Sequence, residues 1–107
     1  MSQAAPFACD MTALSNEQRL RHRELGDSLR SALGAVKELP GGYEFEFPLQ
    51  PSTYDALIQI TPLEHACCPF FTISIRLAPG NQLVWQLTGG EGVKQFIRME
   101  FASWFSK

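Results

Sequence analysis

The sequence predicts a two-layer α+β domain, in which an antiparallel sheet of three or four strands carries helices on one face in the order (β)αβαββα. Three observations lead there. Tyr43-Glu44-Phe45-Glu46-Phe47 alternates aromatic with acid, the period of a half-buried strand. Phe71 to Leu77 and Leu83 to Leu87 alternate in the same way on either side of Ala78-Pro79-Gly80-Asn81, a run of turn residues. Apolar residues at spacings of three and four flank these runs, as amphipathic helices require. With 107 residues, one domain over 1–107 with one core accounts for the chain, and residues 1–14 form an N-terminal arm or short strand.

Each element has a local reason. Phe7, Cys9 and Met11 share a side if the arm is extended, which places Cys9 toward the core. Ser15-Asn16-Glu17-Gln18 is a capping box opening a long helix whose stripe is Leu25, Leu29, Ala32, Leu33 and Val36. Pro40-Gly41-Gly42 is expected to stop it. The Tyr43–Phe47 strand ends at Pro48, and Pro51-Ser52 starts a second helix. Pro62 interrupts this helix, because proline lacks the N–H that bonds back four residues. Either the helix kinks there or a second short helix begins with Thr61 as cap. Thr88-Gly89-Gly90-Glu91 is read as the capping box of a last helix, whose broad apolar face holds Val93, Phe96, Ile97, Phe101, Trp104 and Phe105.

Composition excludes some functions. Nine basic and eleven acidic residues leave a formal charge of −2, so there is no electrostatic footprint for nucleic acid or an anionic membrane. Arg19, Arg21 and Arg23 are interleaved with Glu17, Glu24 and Asp27, with Glu17 and Arg21 at the helical i,i+4 spacing, and read as a solvated helix face. Neither a secretory leader nor an apolar stretch of about 20 residues is visible. Three cysteines without an export signal point to a reducing cytoplasm and free thiols.

The chemically unusual segment is Leu63-Glu64-His65-Ala66-Cys67-Cys68-Pro69-Phe70. Leu57, Ile60 and Leu63 lead at helical spacing to Cys67, which therefore points into the core. Cys68 is turned by about 100° from it and lines up with Thr61, Glu64 and His65 nearer the surface. Adjacent side chains on a helix diverge, so two sulfurs converge only if the helix unwinds at Cys68. Pro69 encourages this by pushing its predecessor out of the α region. With Cys9 as the inward-facing third thiol, Cys9, Cys67 and Cys68 would make a soft-metal site for Zn²⁺, Cu⁺ or a heavier thiophilic ion, with His65 and Glu64 as weaker candidate ligands. The same cluster would serve thiol redox sensing.

Plainer readings compete. Free cysteine packs as a small hydrophobe, Glu64 fits a Thr61–Glu64 capping box, and a lone helical His65 or His22 is more often structural than a ligand. Cys68 as a nucleophile activated by His65 is a third reading. It is opposed by Glu64 and by the negative end of the helix, both of which disfavour a thiolate. The aromatic surplus of the last helix gives a different alternative: a homodimer that associates through that helix and has purely structural cysteines.

The chain resembles a family of small uncharacterised bacterial proteins, on Phe7/Cys9, Gly42/Tyr43/Phe45, Glu64/Cys67/Cys68/Pro69/Phe70 and Thr88/Gly89/Gly92/Lys94/Phe96. These positions span almost the whole sequence. The resemblance implies no activity. It implies an uninterrupted second helix, from which Pro62 departs.

Overall fold

Residues 8–107 are described by the computed structural model. Phe7 and the first half of the expected arm lie outside them. Within them the arm carries no strand: Met11–Ala13 is a single 3₁₀ turn, with the Asp10 side chain accepting from the Thr12 N–H. Helix α1 (Asn16–Ala32) opens on the expected box, in which the Ser15 hydroxyl accepts from the Gln18 N–H and the Gln18 side chain accepts from the Ser15 N–H.

The helix stops at Ala32, well short of the Pro-Gly-Gly segment expected to end it. Leu33 is extended at φ −61° and ψ 130°, and Ala35–Leu39 forms strand β1. Leu33 and Val36 keep helical spacing, which conceals the strand. Pairing decides the outcome. The Gly34 N–H donates to the Glu46 carbonyl at 2.8 Å, and all five residues of β1 find partners on β2 (Gly42–Pro48), across the two-residue Pro40-Gly41 turn. The fourth strand of the sheet is thus residues 35–39 and not the arm.

Helix α2 (Pro51–Cys67) takes Pro51 at its first position, where the missing N–H costs nothing. It runs unbroken through Pro62, correcting the expected interruption. Pro62 and Ile58 are both exposed, so the bond that Pro62 cannot make falls on the solvent side of α2. Thr61 is not a cap: its hydroxyl donates to the Leu57 carbonyl at 2.7 Å and accepts from the Trp85 indole N–H at 3.1 Å.

Strands β3 (Thr72–Ala78) and β4 (Gln82–Thr88) form the expected antiparallel hairpin, with Gly80 at φ 83° and Asn81 at φ 57° in its turn. The sheet is antiparallel throughout in the order β1-β2-β4-β3. The last helix begins later than expected, at Val93. Gly92 caps it in the left-handed region at φ 94°, and the Thr88–Glu91 box is not formed. It divides at Phe101 into α3 (Val93–Glu100) and α4 (Ala102–Phe105).

Helices cover one face of the sheet. Phe45, fully buried, is ringed there by Trp85, Phe101, Trp104 and Phe105 at centroid distances of 5.4–6.1 Å. This packing within one chain employs the aromatic surplus of the last helix. On the other face Arg76 pairs with Glu44 at 3.3 Å and Lys37 with Glu46 at 3.1 Å. Among the described residues no helix is long and apolar enough to cross a membrane.

Candidate thiol and metal site

The site forms where α2 ends. Its last turn is fixed by the Cys68 N–H donating to the Glu64 carbonyl at 2.8 Å, after which Cys68 leaves the helix at φ −127° and ψ 68°. Pro69 drives that departure, since the residue before a proline avoids the α region. The rotation carries the Cys68 side chain inward. Both cysteines are then buried, Cys67 at 1% exposure and Cys68 at 0%, which corrects the expectation of a Cys68 near the surface. Their sulfurs lie 3.8 Å apart.

The arm supplies the third sulfur. The Asp10 N–H donates to the Cys67 carbonyl at 2.8 Å, pinning the arm across the end of α2. Arg19 holds its base from α1, donating to the Met11 carbonyl at 3.0 Å and to the Leu14 carbonyl at 3.1 Å. Cys9 is thereby brought against Cys68, and the two form a disulfide with Cα atoms 4.8 Å apart. Three free thiols were expected; the structure has one pair and one free thiol, Cys67. An odd count permits this arrangement, in which Cys67 is left buried beside the bond.

Glu64 completes the group. One ligand atom each from Cys9, Glu64, Cys67 and Cys68 all lie within 4.8 Å of one another. Glu64 is 3% exposed and does not cap anything: its carboxylate sits 2.8 Å from His22 Nε2, an imidazole contributed by α1. A buried carboxylate needs such a partner, because an unpaired charge away from water is costly. Burial raises the Cys67 thiol to about 11, the Glu64 carboxylate adding to the rise, so the apo thiol keeps its proton. His65 is exposed and stands outside the group.

A cavity of about 410 Å³ opens beside the sulfurs, between α1, α2 and the C-terminal helices. Cys9, Cys67 and Glu64 face it, with Ile60, Phe101 and Trp104 behind them and Gly26 opposite, on α1. Sequence reasoning missed His22 and Gly26 as neighbours of the cysteines. A signal existed: His22 precedes Leu25 by three residues and Leu29 by seven, Gly26 follows His22 by four and precedes Leu29 by three, and that side of α1 packs on α2.

No family model, curated protein or solved structure matches this chain. The geometry therefore carries the functional argument by itself. Chemically the arrangement offers two states: three thiols and a carboxylate grouped closely enough to share one ion, or a disulfide between two of the three.

Proposed function

We propose that the protein binds a thiophilic metal ion through Cys9, Cys67 and Cys68 in their reduced form, with Glu64 as fourth donor. The Cys9–Cys68 disulfide is then the closed, oxidised state of the same site, which makes the module sensitive to thiol redox conditions. The observation that carries this reading is the convergence of three sulfurs and a buried carboxylate within 4.8 Å. Thiolates select soft and borderline cations, and three of them with one carboxylate suit Zn²⁺, while the sulfurs alone suit Cu⁺ or Hg²⁺.

The protonated state of Cys67 is compatible with this, because a coordinating cation displaces the proton from its thiol. The two states exclude each other, since Cys9 and Cys68 cannot bond to one another and to an ion as thiolates. A reducing compartment such as the cytoplasm favours the metal-binding state. A nucleophilic role for Cys68 draws no support from His65, which stands apart from the group.

Thiol titration of the native protein, reduced and kept free of air, tests the proposal. With Zn²⁺ or Hg²⁺ present, all three cysteines are expected to resist an alkylating reagent, and removal of the zinc with a chelator restores their reactivity. If all three react at the rate of an unfolded chain whether or not metal is present, the proposal fails.

A further inference from the structure

A bare ion would fill only the space among the four donor atoms, yet the site opens onto a cavity of about 410 Å³. That volume falls in the range of small-molecule pockets, about 300–1,000 Å³, which combine an apolar lining with a few placed polar groups. This cavity is mixed, with an apolar side beside the sulfurs and a polar side that includes Arg19, His22 and Glu64. Its floor is Ile60, Phe101 and Trp104, all buried, whereas Arg23, Asp27 and Glu100 stand exposed at its rim.

Gly26 is the second observation. It lies inside α1 and lines the cavity, and a Cβ built there meets nothing within 4 Å. Glycine within a helix costs about 1 kcal/mol relative to alanine. No packing contact and no unusual backbone conformation demands it here. A methyl group would fit there without contact, so only a larger side chain at this position would fill the cavity.

We propose that the soft centre taken up by this site is one that retains a bulky organic substituent: a metal or metalloid bonded to one aryl group or to an alkyl group much larger than methyl, with Cys9 and Cys67 holding the centre and the cavity holding the substituent. This rests on the metal-binding reading above and names its substrate class. For a trivalent aryl-arsenic centre the step balances without electron transfer. Two thiols replace two hydroxyl groups on arsenic, two As–S bonds form as two As–O bonds break, and each hydroxyl leaves as water with a thiol proton. The Cys9–Cys68 bond is opened beforehand by a phosphine, which is oxidised to its oxide with the oxygen of water as both thiols are formed.

The test compares phenylarsonous acid with inorganic arsenite on the phosphine-reduced, desalted full chain. Binding is followed by near-ultraviolet As–S absorption and by counting the cysteines that escape alkylation. The wild type is expected to bind the phenyl compound, and Gly26→Phe, which fills the cavity, to lose affinity for it by at least about tenfold. Arsenite, which places no substituent in the cavity, should lose much less affinity for that variant than the phenyl compound does. Equal changes for the two arsenicals in Gly26→Phe, or none for either, overturn the inference and leave the metal-binding reading standing. Should Gly26→Phe not fold, the wild type decides alone: preference for phenyl- over methylarsonous acid by about tenfold supports the pocket, and equal affinity overturns it. Failure of arsenite, Zn²⁺ and Hg²⁺ alike to protect any thiol removes both proposals.

Discussion

At Cys67 two effects act on the thiol in the same direction, burial first and the nearby Glu64 carboxylate second, and together they raise it to about 11. In the disulfide form this is the free cysteine, so its titration can be followed directly. The rate of its reaction with iodoacetamide is expected to keep climbing toward pH 11, and a plateau just above the ordinary cysteine value of about 8.5 would contradict it. The sign for stability follows. A thiol whose folded value lies above its unfolded one stabilises the fold fully below the ordinary value, and that contribution disappears as pH rises through about 11. Cys9 and Cys67 were legible as inward-facing from Phe7, Met11, Leu57, Ile60 and Leu63, whereas Cys68 was not, because helical spacing turns it toward the surface and only its departure from the helix buries it. Which two would bond was not legible either, because spacing allows any pairing. The Glu64–His22 pair was hidden for another reason: Thr61-Pro62-Leu63-Glu64 satisfies a capping pattern locally, and only packing of α1 on α2 reveals the alternative.

At the scale of elements, Pro62 is a proline in a helix interior that the surrounding packing tolerates. Its position on the exposed side of α2 puts the missing backbone bond on the solvent side. Pro62→Ala restores that bond, and is expected to raise the unfolding free energy in urea by up to about 3 kcal/mol. A lower midpoint in the variant would mean that the proline is needed for the direction in which α2 delivers Cys67. The elements with strictly local signals were legible: the Ser15 box, the alternation of Tyr43–Phe47 and the Pro79-Gly80 turn. Strand β1 was not, since Leu33 and Val36 extend the period of α1 and its identity depends on pairing with β2. On its other side β2 lies equally close to β4, since a side chain at Gly42 would collide with the Leu87 carbonyl there.

For the whole molecule, the layer arrangement was legible because each hairpin and helix declares itself nearby in sequence, while the docking of the arm is non-local and was only a geometric expectation. The Cys9–Cys68 bond joins residues 59 apart. Closing a loop of that length restricts the unfolded chain by about 4 kcal/mol in the chain-entropy account. Reduction, or Cys9→Ser, is therefore expected to lower the unfolding free energy by roughly 2–4 kcal/mol, read from urea curves with and without reductant. Superimposable curves would show that the arm is held by its backbone contacts alone. The bond also partitions the chain. The turn at Pro40-Gly41 lies inside the covalent loop, and the turn at Pro79-Gly80-Asn81 lies beyond it. A protease nick at the first leaves both fragments on one covalent thread. The same nick at the second frees β4 and everything after it to separate once the sheet melts, so the two hairpins are unequal as points of damage.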